Sequence, residues 1–169
     1  RIAAEKNVEA LLKAWKAINT EGCQLVIVGD GPLRPTLENN FLSDNDNEIV
    51  WWGYEADLKK KVALLKCTEV FILPSLVEGL SLALLEAMAT GTACIATDAG
   101  ADGEVLQKGA GIIISTEGVR SQLKTLLPVL KENPFLTSEL GKRARLRILE
   151  KFTLQQNIDA LENLYRKLL

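Results

Sequence analysis

The chain has 169 residues, 47% of them hydrophobic, with a formal net charge of −2 and a pI near 5.4. That length suits a single domain, 1–169, with an ample core, and the slight acidity argues against a nucleic-acid surface, which needs a concentrated basic face. No run is apolar and long enough to span a bilayer, the start lacks a secretory pattern, and the absence of histidine removes Ser-His-Asp systems, Cys-His systems and histidine metal sites from this chain alone.

The opening Arg1-Ile2-Ala3-Ala4 runs into a helix-like stretch, Val8–Ile18, with no strand before it, which predicts that the chain is part of a longer protein. A β-branched run follows at Gln24–Val28, then Gly29-Asp30-Gly31-Pro32-Leu33-Arg34 and a helix over Leu33–Phe41. In that turn Arg34 stands where a Gly-x-Gly-x-x-Gly grip needs its third glycine, and Pro32 fits the first turn of a helix. A tight strand-to-helix turn is expected there rather than a dinucleotide site. Ser43–Asn47 reads as a solvated surface turn. Strand-like runs then recur at Ile49–Trp52, Val70–Leu73, Ala93–Ala96 and Gly111–Ile114, separated by helix-like stretches at Leu58–Lys66, Leu80–Ala89 and Gly103–Gln107. Three tail helices are predicted, Arg120–Leu130, Leu136–Glu150 and Leu154–Leu168, interrupted by Pro128 and Asn133-Pro134.

Each strand-like run is short and nearly continuously apolar, as strands covered on both faces should be. Alternation with helices over short links implies right-handed crossovers. The expected fold is therefore α/β: a Rossmann-like parallel sheet flanked by helices on both faces, with a C-terminal helical tail. Trp15, Trp51 and Trp52 are expected in the core. Cys23, Cys67 and Cys94 are odd in number and lack metal-type spacing, which predicts buried free thiols in a reducing cytosol. Lys59-Lys60-Lys61 reads as a solvated helix start. Lys142–Arg147 is basic and helical, and reads as a solvated face, with contact to anionic lipid heads as the alternative.

Two glutamates carry the chemistry. Glu78 ends the loop after Val70–Leu73, and Glu86 follows within a Leu/Ala/Met-rich helical stretch. A carboxylate in such a stretch is costly to bury unpaired, so Glu86 is expected to meet water, a partner or a ligand. On one helix the two would stand roughly 12 Å apart, beyond the roughly 5–9.5 Å of a glycoside-hydrolase acid/base pair. Two contacts at opposite ends of an extended ligand fit better. Between them the backbone of Gly79, Leu80, Ser81 and Leu82 opens the helix, and free amides there make a phosphate cradle that Gly79, without a Cβ, lets a ligand approach. The implied ligand runs sugar, diphosphate, ribose, with Glu86 accepting two hydrogen bonds from a vicinal diol. The same spacing fits a loop charge at Glu78 and an exposed or lysine-paired Glu86.

The span Glu78-Gly-Leu-Ser-Leu-Ala-Leu-Leu-Glu86-Ala-Met-Ala-Thr-Gly91-Thr resembles the nucleotide-sugar signature of retaining GT-B glycosyltransferases, specifically glycosyltransferase family 4. Arg1-Ile-Ala-Ala-Glu-Lys6, Leu25-Val-Ile-Val-Gly-Asp-Gly-Pro32, Trp52-Gly-Tyr54 and Phe152-Thr with Leu161-Glu-Asn-Leu-Tyr165 resemble further family segments in the right order. The resemblance covers nearly the whole chain as the C-terminal, donor-binding half of the fold, and implies that an N-terminal acceptor-binding half lies outside it. It implies transfer, with retained anomeric configuration, from a nucleotide diphosphate sugar to a glycan, lipid or small-molecule acceptor. Glu78 is then the catalytic residue facing the donor sugar, and Glu86 the ribose ligand. Arg1, Lys6, Gly79, Leu80, Ser81 and Leu82 hold the diphosphate, and Gly29, Gly53, Tyr54 and Glu55 line the cleft around the base. No metal or other cofactor is implied, since two cations and a helix start neutralise the leaving diphosphate. A bacterial, cytoplasmic location follows from the resemblance, with the inner face of a membrane as the alternative. A nucleotide-sugar 2-epimerase of the same architecture and a non-catalytic donor-sensing or scaffold domain are the other readings.

Overall fold

The computed structural model describes residues 1–43 and 48–168, so the predicted turn Ser43–Asn47 lies, after its first residue, outside the described residues. A 3-10 turn, Ala4–Lys6, leads into α1 (Val8–Trp15). Then come β1 (Gln24–Val28), α2 (Arg34–Asn40), β2 (Glu48–Gly53), α3 (Leu58–Lys66), β3 (Val70–Leu73), α4 (Leu82–Thr90), β4 (Ala93–Thr97), α5 (Asp102–Val105) and β5 (Ile112–Ile114). The tail is α6 (Val119–Glu132), α7 (Pro134–Lys151) and α8 (Leu154–Leu168). Among the described residues every strand pairing is parallel, as helical crossovers require. The expected parallel α/β architecture is present, with the strands divided between two sheets, β1-β2 and β3-β4-β5.

β4 holds the layers together. All five of its residues are buried, and successive side chains point to opposite faces. Ala93 and Ile95 enter a cluster with Leu11, Leu12 and Trp15 of α1 and Leu123, Leu127 and Leu130 of α6. Cys94 and Ala96 turn the other way, onto Leu84 and Met88 of α4 and Ala144 and Ile148 of α7. Leu25 and Ile27 of β1 and Ile49 of β2 join the first cluster, so both sheets share one core layer.

The sequence overstated burial in several places. Only Leu25 and Ile27 of β1 are buried, while Val26 and Val28 are 36% and 47% exposed, so this apolar run has one covered face. Trp15 and Trp51 pack into the core cluster, but Trp52 is 46% exposed and its indole donates to Glu55 at 3.3 Å. Cys94 is buried, which pushes its thiol up to about 12, whereas Cys67 is exposed and Cys23 half-buried. Pro128 does not interrupt α6: burial of Leu123, Leu127 and Leu130 offsets the ~3 kcal/mol cost of an interior proline. In the basic segment, Arg147 is buried on the carbonyls of Glu104 and Val105 with its guanidinium over the Phe152 ring, and Arg145 donates to the Ala89 carbonyl. These two arginines fasten α7 to the domain rather than forming a free basic face. Among the described residues, no helix is long and apolar enough to cross a membrane.

Candidate functional site

Three backbone segments meet beyond the carboxyl ends of the strands. The first is Ile2–Lys6. Its Ile2 amide donates to the Asp30 carbonyl at 2.8 Å and its Ile2 carbonyl accepts from Leu33 at 3.1 Å, which seats it on the turn after β1. Gly31 is needed for that approach, because a Cβ there would lie 2.3 Å from the Ile2 carbonyl oxygen. Three residues on, the Glu5 carbonyl accepts the Leu76 amide at 2.7 Å. The segment thus ties the end of the β1-β2 sheet to the loop after β3.

The second segment is that loop, Pro74–Ser81, and the third is Asp98–Ala101 after β4. They lie side by side: Glu78 donates its amide to Ala99 at 2.7 Å, and Ala101 donates to Gly79 at 2.8 Å. The Thr97 hydroxyl donates to the Ser75 carbonyl beneath them. Gly100 sits at φ +138°, and a Cβ there would lie 2.2 Å from the Glu78 carbonyl oxygen. Only glycine lets the two loops come this close.

The side chains follow from this scaffold. Lys6 reaches Glu78, with Nζ 2.5 Å from Oε1, and the Ser75 hydroxyl donates to the same oxygen at 2.7 Å. The Glu78 side chain is only 9% exposed and Lys6 26%, so Glu78 is a nearly buried carboxylate held, among the described residues, by the Lys6 ammonium and the Ser75 hydroxyl. Directly after it, α4 begins at Leu82, two residues later than the sequence suggests, with Ser81 as N-cap: its hydroxyl accepts the Leu84 amide at 3.3 Å. The Ser81 amide is already engaged, donating to Oδ1 of Asp102 at 2.9 Å. Among the described residues, the amides of Gly79, Leu80 and Leu82 meet no acceptor, and all three residues are exposed. The arrangement is a helix N-terminus with open amides beside a lysine–glutamate pair, which suits an anionic group flanked by a hydroxylated one.

Asp102 was not singled out from the sequence. Its side chain is fully buried, and Oδ2 has no partner among the described residues. Burial raises its carboxyl above the usual range; the Ser81 amide opposes this, the nearby Glu78 charge adds to it and Lys6 reduces it. The available signal was an aspartate between Gly100 and Gly103 just past a strand end. Lys61, expected as part of a solvated helix start, gives Glu86 the lysine partner that the sequence left as one reading. It turns onto α4 and pairs with Glu86 at 3.3 Å, at the half-exposed surface.

The other expected residues are spread around this centre. Arg1 is 68% exposed and pairs with Glu5, not with the Lys6–Glu78 group. The Gly29 amide donates to the Gly53 carbonyl at 2.7 Å, joining the ends of β1 and β2, and Arg34 packs beneath Gly53. The helix after that turn starts at Arg34 with Pro35, rather than Pro32, in its first turn. Tyr54 is 78% exposed. Glu55 accepts from the Asp57 amide at 2.9 Å and from the Trp52 indole, and these bonds hold its carboxyl below the usual range.

Known proteins carry the same organisation. A galactosyltransferase of Escherichia coli, the UDP-Gal:alpha-D-GlcNAc-diphosphoundecaprenol alpha-1,3-galactosyltransferase, is 32% identical over 143 residues, covering 83% of this chain and 36% of its own length. The chain therefore spans well under half of that relative. The sucrose-phosphate synthase of Thermosynechococcus elongatus superposes with a TM-score of 0.85 at 22% identity, over 99% of this chain and 43% of that one. The Anabaena HepE protein in complex with UDP-glucose superposes with a TM-score of 0.81 at 19% identity, over 98% and 47%. At these identities the two structures establish a shared GT-B fold. The family profile for glycosyl transferases group 1 matches residues 1–131, which contain the 3-10 turn, both sheets, the Lys6–Glu78 pair and all of α4. By that match, the chain belongs to the glycosyl transferases group 1 family.

Proposed function

We propose that this chain is the donor half of a retaining glycosyltransferase, binding a nucleotide diphosphate sugar at the start of α4. The observation that carries this reading is the meeting of Lys6 and Glu78 at 2.5 Å beside the open amides of Gly79, Leu80 and Leu82. The diphosphate lies against those amides and draws the Lys6 ammonium to itself, so that charge developing on the leaving group meets a cation and helix-end dipoles already in place. Glu78 then faces the donor sugar. Arg1, released from Glu5, is the second cation. Glu86, about one turn beyond Leu82 and paired with Lys61, takes the ribose diol, and the backbone of Gly53, Tyr54 and Glu55 with Gly29 lines the space for the base. The named specificity of the Escherichia coli relative for UDP-Gal and the UDP-glucose held by the Anabaena protein support a uridine nucleotide. Transfer to an acceptor belongs to a protein in which a further domain completes the cleft, and no bound metal is required by this reading.

The test is a thermal-shift panel of UDP, GDP, ADP and their sugars, because a ligand that binds the folded chain raises its apparent stability by mass action. At least one diphosphate should stabilise the chain and its parent nucleoside should not. Stabilisation by none of the panel rejects the donor site.

A further inference from the structure

We propose that Asp102 is a positioning residue for the donor cradle, holding the Gly79–Leu82 turn in its anion-accepting shape from behind. The inference rests on the donor-site reading and deepens it. Asp102 is fully buried, and its Oδ1 takes the Ser81 amide at 2.9 Å. The Ser81 amide thereby points inward, while the neighbouring amides of Gly79, Leu80 and Leu82, on exposed residues, meet no acceptor among the described residues. Two backbone bonds lock the same interface, Glu78 to Ala99 and Ala101 to Gly79, but neither fixes the peptide at Ser81. Among the described residues, Asp102 is the one acceptor of the Ser81 amide, while the Ser81 hydroxyl and carbonyl take the Leu84 and Leu85 amides.

The second carboxyl oxygen argues against simple packing. Among the described residues Oδ2 is buried without a partner, and an unsatisfied buried polar atom costs stability that an apolar side chain of similar size would not incur. A carboxyl is retained here because its other oxygen does what no apolar side chain can: it takes an amide at the mouth of a helix where a bound anion needs the adjacent amides free. An asparagine can do the same through its carbonyl oxygen. An alanine cannot, and with it the Ser81 amide must find another acceptor or join the cradle in a different shape.

The experiment compares wild type, Asp102→Asn and Asp102→Ala by calorimetric titration with UDP and with uridine, after circular dichroism has established that each variant is folded. Asp102→Asn should bind UDP within about threefold of wild type, and Asp102→Ala about tenfold or more weaker, the scale of one lost hydrogen bond. Uridine affinity should be unchanged in both. Should Asp102→Ala not fold, Asp102→Ser, which is too short to reach the Ser81 amide but leaves a smaller void than alanine, replaces it with the same expectation. Wild-type UDP affinity in the folded Ala or Ser variant overturns the inference alone, as does an equal loss for UDP and uridine, or an Asn variant as weak as Ala. A wild type that binds none of UDP, GDP and ADP overturns the donor-site reading and this inference with it.

Discussion

Replacing Lys6 by alanine separates stability from ligand binding. The ammonium is 2.5 Å from Glu78, whose side chain is 9% exposed, so its removal strands a nearly buried carboxylate that keeps, among the described residues, the Ser75 hydroxyl at 2.7 Å. Breaking a fully buried pair costs about 3–5 kcal/mol, whereas a hydrogen bond to a charged group is worth about 1.5–3 kcal/mol. Lys6 is 26% exposed, so water reaches the gap it leaves, and about 2 kcal/mol is expected, a fall in Tm of roughly 4–8 °C for a domain of this size. Lys6→Ala with Glu78→Gln removes the stranded charge and should recover most of that Tm. It should not recover UDP affinity, which falls roughly 5–150-fold in either background, corresponding to about 1–3 kcal/mol, while uridine affinity holds. Differential scanning fluorimetry and calorimetric titration of the four proteins of this cycle decide the matter. If the double variant melts no higher than Lys6→Ala, the pair is not coupled; if UDP and uridine weaken equally, Lys6 lies away from the phosphates.

Glu86→Gln should weaken UDP and UDP-sugar alike with little change in Tm, since its pair with Lys61 lies at the half-exposed surface and such pairs contribute about 0–1 kcal/mol; Glu78→Gln should spare UDP and weaken only the sugar nucleotide. Equal losses for both ligands in both variants, read by the same titrations, would refute the proposed ligand orientation. Gly100→Ala should lower Tm by several degrees, because its Cβ would sit 2.2 Å from the Glu78 carbonyl oxygen at φ +138°; an unchanged melting curve refutes the close apposition of the two loops. Donor affinity should be the same with and without EDTA, and a large loss on chelation would show a metal in the site. The Asp102 carboxyl is raised in the folded state, so the native chain holds that proton more tightly than the unfolded one. Its contribution is most favourable below the unfolded value of about 3.9 and is lost as pH rises through the folded value. The Tm advantage of Asp102→Asn over wild type should therefore grow from pH 4 to pH 8, and an advantage independent of pH would contradict the raised carboxyl.

The order of elements was legible because helices and strands announce themselves by period and by β-branched content, and β1, α3, β3 and α8 begin and end where the sequence places them. Which faces are covered was not. Val26 and Val28 are as apolar as Leu25 and Ile27, yet only the latter pair meets the core. Hydrophobicity reports what a residue tolerates, and coverage depends on what packs above it. Pro128 fails as a helix breaker for a related reason: tertiary burial around Leu127 and Leu130 outweighs a local penalty. The division into two sheets has no local signature at all, because strand pairing is settled by residues far apart in the chain.

The site divides along the same line. Glu78, Glu86 and the glycine between cradle and carboxylate lie close in sequence, and their spacing could be read directly. Lys6 could be named but its partner could not, since 72 positions separate it from Glu78. Asp102 showed in the sequence only as an aspartate between two glycines past a strand end, because its contact runs through one backbone amide, and amides leave no trace in a sequence. That asymmetry has a physical origin. A cradle of main-chain donors is built by conformation, so the residues that determine it are those that constrain the turn: Gly100 by having no Cβ, Ser81 by capping α4, Asp102 by taking an amide from behind. Substitutions at the exposed Leu80 and Leu82, whose side chains point away from the core, should be tolerated far better than substitutions at these three, even though only the former contribute amides that would touch a ligand.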